Sequence, residues 1–458
     1  MTPLVQSSPF GTALPDIDSY HANETGNPLT DAFSTSTTVH PGGKATPVAE
    51  EEIAATYASL TQKSRHGKTA AYIHVPFCES HCLYCGFYRK RYDEGQSRAY
   101  ADALIAELRA GAESPLQASA PIHAVYIGGG TPTSLEAPDL KRILDAIREN
   151  LPLANDCELT VEGRIWNFGP EKMEACLEGG ANRFSIGVQT FDTKLRQSMH
   201  RLADRDTVLT ALARLRDYDQ AAVIIDLIYG FPNQTMELWE EDIRIFQGLG
   251  LDGVDLYQLK VFPGTPLSKA IDKGRFPPGA DLATRARMYA RGTELMADAQ
   301  YTRLSVNHWG RTPRERNIYN HMMKSPSCCL PFGPGAGGSA HGHFFFLETD
   351  YDVWRRAVLD DGRKPLVTMQ RQTAHAELEK TITSELELCR INLGDLGKRF
   401  GLPLAETLGT LYEQWKRAGL LTHRNGWCRL TTAGQFWQVT MAQLTINYLY
   451  DTIFTEES

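Results

Sequence analysis

No apolar run in this 458-residue chain approaches the roughly 20 residues that a bilayer span requires, so no membrane-spanning segment is predicted. Positive charge is also scarce. Lys and Arg number 47 against 55 Asp and Glu, a net charge of −8, which disfavours broad nucleic-acid binding because that depends on clustered cations facing phosphates. The opening stretch MTPLVQSSPFGTALP has neither a basic segment nor a continuous apolar core; it does not read as a secretory signal, and a cytoplasmic protein is expected. Cysteine is sparse, uneven in spacing and odd in number at nine, whereas a disulfide scaffold wants a dense even set in a short secreted chain. Metal or redox use of a subset fits better.

What is present is enough sequence for one large catalytic domain and at least one smaller unit. Residues 1–68 are rich in Ser, Thr, Pro and Gly, as in STSTTVHPGGKATP, and are expected to be loosely ordered, although PLTDAF near Leu29–Phe33 has the apolar character to dock. Over residues 69–283, β-rich runs alternate with helical stretches. The runs are AAYIHVPF, HAVYIGGG, ELTVEG, RFSIGVQ, AAVIIDLIYG and GVDLYQLKVF. Repeated βα units predict a parallel sheet with helices outside it, and an α/β fold of the incomplete (β/α)₆ barrel type is preferred to a doubly wound open sheet. Residues 284–365, including the Gly-rich PFGPGAGGSAHG, are expected to be irregular and to complete a substrate cleft. Residues 366–458 read as helix, turn, helix and a hairpin at Asn425–Gly426, a winged-helix-like unit. Its second helix is not especially basic, so a packing or lid role is preferred to DNA binding.

Cys78-x₃-Cys82-x₂-Cys85 follows the first β-run directly. Random placement of the cysteines would produce this spacing only ~0.004 times per chain, so chance is a poor explanation. Three thiolates hold three irons of a [4Fe–4S] cube and leave the fourth open to an exogenous ligand. Zinc is the alternative, closed by His74 or His81 as a fourth ligand. Purely structural thiols fit less well, because a loop interleaved with Phe77, Tyr84 and Phe87 gives three thiols no core to fill. One unit later, Gly128, Gly129, Gly130 and Thr131 in YIGGGTPT suit close backbone approach to a ligand, and Pro132 fixes the turn that follows.

The loop YIHVPFCESHCLYCGFY resembles the cluster loop of the oxygen-independent coproporphyrinogen oxidase branch of radical S-adenosylmethionine (SAM) enzymes. From PLTDAF to the winged-helix-like tail, the chain most resembles the anaerobic haem-degrading group of that branch. The resemblance implies a [4Fe–4S] cluster on Cys78, Cys82 and Cys85, and two SAM molecules beside it. It further implies SAM contacts at Tyr72, Tyr84, Gly129, Gly130, Thr131, Glu162, Gln189, Arg201 and Asp226. Taken singly, a polar residue at a strand end often just caps a helix or joins a surface ion pair. The implied chemistry is reductive cleavage of SAM to a 5′-deoxyadenosyl radical, fed by an external low-potential donor such as flavodoxin or a reduced flavin.

The implied substrate is haem or a related tetrapyrrole, methylated and opened to a linear product with release of iron. A coproporphyrinogen III dehydrogenase and a haem-binding chaperone are the competing members of the branch. The dehydrogenase has a further cysteine two residues beyond the third ligand, where this chain has Phe87, and SVNHWGRTPRERNIYN does not match the chaperone's haem signature. Candidate haem contacts are His308, His321, His341 and His343, with Arg311, Arg314 and Arg316 as propionate partners. Cys328 and Cys329 are candidates for haem ligation or hydrogen transfer, with inert buried thiols as the alternative.

Overall fold

The computed structural model describes residues 17–37 and 44–454. Two compact units emerge, one built from residues 44–384 and the other from the N-terminal residues up to 43 together with 385–458. In the larger unit the six β-rich runs form β1 (Thr69–Val75), β2 (Ile122–Gly129), β3 (Leu153–Gly163), β4 (Arg183–Gln189), β5 (Ala222–Tyr229) and β6 (Gly253–Gln258). They pair in that order and all in parallel. A doubly wound sheet reverses its strand order; this one does not, so its helices share one face and the sheet curls. It is not closed, since antiparallel His308–Gly310 and Thr302–Arg303 continue it beyond β6. The fold is therefore the incomplete barrel with a C-terminal α/β unit. No described helix is long and apolar enough to cross a membrane.

Near-continuous apolar runs mark these strands because both sheet faces are covered. Ile73, Val125, Val161, Ile186, Ile225 and Val254 are all fully buried. Between them run α1 (Gln96–Ala110), α2 (Ala137–Asn150), α3 (Pro170–Glu178), α4 (Arg205–Tyr218) and α5 (Met236–Leu249). In α2, Leu140, Ile143, Leu144 and Ile147 recur at helical spacing and are buried, the apolar stripe such a helix turns to the core. Asp204 and Thr235 start α4 and α5, their side chains accepting from the backbone N–H of Thr207 and Leu238.

Residues 284–365 depart from the expectation of irregularity. They carry most of α6 (Leu282–Asp298), then α7 (Ile318–Lys324), β7 (Cys328–Phe332), β8 (Gly337–Ala340) and β9 (His343–Leu347). Strand β7 pairs in parallel with β1, making a seventh parallel strand, and the others follow antiparallel. Glycine hid this regularity in the sequence. A Cβ on Gly338 would stand 2.5 Å from the Cys329 carbonyl oxygen, and one on Gly333, at φ +84°, would stand 2.5 Å from that of His74. The glycines are what let neighbouring backbones approach.

The expectation of a loosely ordered 1–68 also fails over part of its length. Glu50–Thr61 is a helix with three glutamates in its first turn, where the helix dipole favours them, and it buries Ile53 and Leu60. Ala45–Pro47 pairs with β10 (Leu366–Gln372), which pairs in turn with β9. Because β10 is part of the large sheet, the smaller unit begins near 385 rather than at 366. The PLTDAF segment does dock, on the C-terminal unit. The indole N–H of Trp437 donates to the Pro28 and Leu29 carbonyls, and Phe33 meets the Trp437 ring edge-on at 5.4 Å. The opening MTPLVQSSPFGTALP and residues 38–43 of STSTTVHPGGKATP lie outside the described residues. In the C-terminal unit, helices Leu393–Phe400 and Leu404–Arg417 precede a hairpin of Leu421–Arg424 and Trp427–Leu430. Its turn residues Asn425 and Gly426 both have positive φ, as a tight two-residue hairpin requires.

Residues 308–319, between β6 and β7, pack at the N-terminal ends of the strands. Glu158 caps α7, its carboxylate accepting from the backbone N–H of Ile318 and Tyr319 at 3.0 Å each, and this sets the Tyr319 ring on Tyr126 at 4.6 Å. Beside it, Arg183 binds Glu315 through both Nε and Nη2. His308 lies between Asp255 at 2.8 Å and Glu315 at 3.1 Å. Burial pushes the His308 imidazole down, but the two carboxylates outweigh it and carry its pKa from 6.5 up to about 9. Burial pushes Glu315 up, and Arg183 and His308 outweigh that in turn, holding it at about 2. His308 thus stabilises the fold fully below its ordinary pKa, and that contribution is lost as pH rises through about 9. Glu315→Ala leaves two buried cations without their shared partner. We expect a loss of about 3–5 kcal/mol, read as a lowered midpoint in thermal or denaturant unfolding.

Candidate active site

The cluster loop leaves the C-terminal end of β1, where a parallel sheet gathers ligand-binding groups. Cys78 and Cys82 are buried and Cys85 half-buried. Backbone bonds from Tyr92 N–H to the Cys78 carbonyl, Leu83 N–H to that of Met199, and Leu267 N–H to that of Leu83 tie the loop to its surroundings. The Thr131 hydroxyl lies 3.4 Å from Cys78 Sγ, the Arg201 guanidinium 3.6 Å from Cys82 Sγ, and the Phe87 N–H 3.3 Å from Cys85 Sγ. Burial pushes the Cys78 thiol up to about 11 and also raises Cys85. At Cys82 burial acts the same way, but Arg201 and Arg164 outweigh it and lower the pKa. Three thiols with N–H, O–H and guanidinium donors on their sulfurs fit an iron–sulfur cluster, whose sulfurs are tuned by such bonds. The two proposed fourth zinc ligands have other partners: the His74 Nδ1 is 3.0 Å from the Tyr72 hydroxyl, and His81 stacks on Tyr88 at 4.1 Å with its Nε2 3.5 Å from the Cys85 carbonyl oxygen. Among the described residues no three His, Cys, Asp or Glu crowd round a single ion, an arrangement a cube with one thiolate per iron does not need.

Beside the loop, the glycine run is required by close packing. A Cβ on Gly128 would lie 2.6 Å from Glu162 Oε2, on Gly129 2.6 Å from the His74 ring, and on Gly130 2.4 Å from the Phe77 carbonyl oxygen. Gly129 also has φ +106°. Gly130 and Thr131 N–H donate to the Val75 and Phe77 carbonyls, so this loop and the cluster loop are pinned together.

Register brings the remaining residues together. Glu162 pairs with Ser185, Gly187 with Asp226, and Asp226 with Asp255. The bare Gly187 leaves room for the Gln189 amide at 2.7 Å, the Arg201 guanidinium at 3.6 Å and Asp226 Oδ2 at 3.9 Å from where its Cβ would be. Gln189 ends β4 at φ +73°, a strained left-handed conformation that turns its amide back over Gly187. The Gln189 Oε1 and Arg201 Nε atoms are buried without a partner. Arg201 also bonds the Tyr84 hydroxyl and the Gly187 carbonyl. Burial, then Asp226, raises Glu162 to about 8; burial, then Asp255, raises Asp226 to about 7. Two half-exposed carboxylates short of positive charge, orphaned amide and guanidinium groups and a bare backbone fit a zwitterionic ligand of net positive charge such as SAM. Tyr72 lies in the barrel interior, its ring 6.2 Å from Tyr319 and its hydroxyl 3.0 Å from His74 Nδ1; burial, then Glu162, raises its pKa.

The candidate haem contacts do not join this site. Arg314 binds Asp219 and the Ala221 carbonyl, Arg316 binds Asp156, and Arg311 N–H bonds the Asp252 carbonyl, all at the N-terminal ends of the strands. His308 is fully buried between carboxylates, His321 lies on α7, and His341 and His343 flank the β8–β9 turn near Cys328. Cys328 and Cys329 begin β7 beside Thr69 and Ala70, again at the end remote from the cluster loop. Sequence position after the barrel carried no information about which end these residues occupy. Arg164 escaped notice, yet it clamps the cluster loop through the Ser80 carbonyl at 2.9 Å and hydroxyl at 3.0 Å. Its place just after Glu162 at the end of β3 was the available signal.

Comparison with known proteins gives the family and the fold. The radical SAM superfamily matches residues 72–246. Anaerobilin synthase of Escherichia coli O157:H7 is 44% identical over 401 residues, covering 87% of this chain and 88% of that protein. The haem chaperone HemW of Bacillus subtilis (strain 168) is 31% identical over 277 residues, 60% of this chain and 70% of that one. Among solved structures, Escherichia coli coproporphyrinogen III oxidase (HemN), described as a radical SAM enzyme, shares the fold with a TM-score of 0.75 at 20% identity, over 90% of this chain and 97% of that one.

Two predictions follow from the geometry. Cys82→Ala should prevent reconstitution of about four irons per chain, read by iron analysis and visible absorption. SAM affinity should rise as pH is raised from 6 to 9, because Glu162 and Asp226 ionise through about 8 and 7 and the ligand is cationic. Asp226→Asn should weaken binding at high pH and flatten that rise while leaving the cluster spectrum intact, as calorimetric titration at several pH values would reveal.

Proposed function

Because the chain belongs to the radical SAM superfamily, in the branch that includes anaerobilin synthase, we propose that it is a cytoplasmic enzyme that methylates haem and opens its macrocycle without oxygen. The observation that carries this reading is 44% identity to anaerobilin synthase over 88% of that protein's length, with the Cys78–Cys82–Cys85 loop intact. Those three thiols would hold the cluster, leaving one iron for the SAM amino and carboxylate groups. Bound together, cluster and SAM supply one-electron reductive cleavage of a carbon–sulfur bond, with electrons from a low-potential donor such as flavodoxin or a reduced flavin.

The protein's part is position and electrostatics. Gly129, Gly130 and Thr131 would offer backbone groups to SAM, Glu162 and Asp226 its negative counter-charge, and Gln189 and Arg201 their orphaned polar atoms. Tyr84 holds Arg201 in place, and Tyr72 with Tyr126 and Tyr319 fills the barrel below, excluding water from beneath the site. A second SAM beside the first would supply the methyl carbon. Phe87, 66% exposed, occupies the position where the coproporphyrinogen enzyme has a further cysteine, which favours the haem reading over decarboxylation.

Anaerobic incubation of the cluster-loaded protein with SAM, reductant and haem should bleach the Soret band and give an open tetrapyrrole with one added methyl carbon by mass. Coproporphyrinogen should be unchanged in parallel. Faster decarboxylation of coproporphyrinogen would favour the dehydrogenase, and haem bound without loss of colour over many equivalents of SAM the chaperone.

A further inference from the structure

Lys260 follows the last residue of β6 by two positions, at the same end of the sheet as the cluster loop. It is half-buried, and among the described residues no carboxylate, carbonyl or aromatic ring partners its ammonium. The charged group that faces it is Arg285, a second cation. Arg285 comes from α6 and is held firmly: its side chain passes 3.1 Å from where a Cβ on Gly230 would be, at the end of β5. The Gln258 amide oxygen, turned towards the guanidinium, accepts from Nη1 at 2.8 Å and Nε at 3.2 Å. The nearby carboxylate, Asp281, is occupied in capping α6, where it accepts from Thr284 N–H at 2.7 Å. Burial, with Arg285 adding to it, pushes the Lys260 ammonium down to about 8, the mark of a cation lacking a counter-charge. The two residues that follow Lys260, Val261 and Phe262, are apolar and each more than a third exposed.

We propose that Lys260 and Arg285 form a binding site for a ligand carboxylate at the mouth of the barrel. Two half-buried cations close enough to repel each other destabilise the empty site and favour an anion between them; the guanidinium donors that Gln258 leaves free bond a carboxylate while the ammonium adds a point charge. Resting on the haem reading above, the carboxylate is a tetrapyrrole propionate, whose apolar ring would lie against Val261 and Phe262; the amino-acid carboxylate of a SAM molecule is the other source with the same chemistry. The site stands at the end of the strands where the sequence-selected arginines do not.

The test titrates cluster-loaded full-length protein anaerobically with haem and with its dimethyl ester, following the Soret band, and measures SAM binding separately. Wild-type protein should bind haem about tenfold or more tightly than the diester, in keeping with a hydrogen-bonded charge pair. Lys260→Met, which removes a half-buried charge and should not lower thermal stability, should bring haem to the diester's affinity, and Lys260→Arg should restore the difference. An unchanged haem-to-diester ratio with SAM binding weakened about tenfold in Lys260→Met would support the site with SAM as the source. No change in either ligand overturns the proposal while leaving the haem reading standing. Wild-type protein that binds no haem overturns that reading instead, and SAM affinity then decides: weakened in Lys260→Met it supports the carboxylate site, unchanged it sinks it.

Discussion

The imidazolium of His308, locked between Asp255 and Glu315, is the constraint on which the site rests. Parallel pairing sets Asp226 directly beside Asp255, and two buried carboxylates on adjacent strands repel. His308 answers Asp255 and hands the remaining charge to Glu315, which Arg183 then neutralises. The chain of pairs leaves Asp226 only partly compensated, its pKa raised to about 7, and half-buried beside Gly187 and Arg201. An apolar replacement of the lower pairs could preserve stability, since buried ion pairs seldom add much. It would not preserve the electrostatic setting of Asp226, nor through it that of Glu162, whose raised pKa follows first from burial and then from Asp226.

The parts of this arrangement that could be read in the sequence are those written locally. Six apolar runs bounded by helical stretches gave the parallel strands, and RFSIGVQ matches β4 residue for residue because nothing in it competes with strand geometry. The cysteine spacing and YIGGGT were legible for the same reason: each is a short segment whose side chains, or lack of them, act within a few residues. At β6 the apolar run misled by extending to Phe262, whereas the strand ends at Gln258 and Val261 and Phe262 emerge on the surface. Pro263 and Gly264 were signals for a turn there, but periodicity cannot say how far before a turn the ladder stops.

What could not be read depends on pairings remote in sequence. Strand β7 joins β1 across some 250 residues, and its neighbours are glycines whose merit is the space they leave for another backbone. The Arg183–Glu315 pair spans 132 residues, and which end of the barrel Arg311, Arg314 and Arg316 occupy follows only from the path of the chain beneath it. Charge alone suggested those arginines as anion anchors. The guanidinium groups of Arg314 and Arg316 have protein partners already, whereas the ammonium of Lys260, inconspicuous inside an apolar run, has none among the described residues.

The two ends of the barrel consequently obey opposite rules. Below, the buried charges beneath the site are matched: Glu158 by a helix N-terminus, Glu315 by Arg183 and His308, Asp252 by the Val223 N–H at 2.9 Å. Above, Gln189 and Arg201 keep unpartnered atoms, Glu162 and Asp226 share an excess of negative charge, and Lys260 faces another cation. Satisfied networks rigidify, and unsatisfied ones are unfavourable until a ligand completes them. The lower network supplies the rigidity that keeps the upper one from collapsing onto itself, because Asp226 cannot swing towards Arg183 while Glu315 holds that guanidinium at three donor–acceptor contacts of 3.0–3.2 Å. Mismatch at one end is therefore maintained by match at the other, and the ligand that relieves it must carry both signs of charge on an otherwise apolar body.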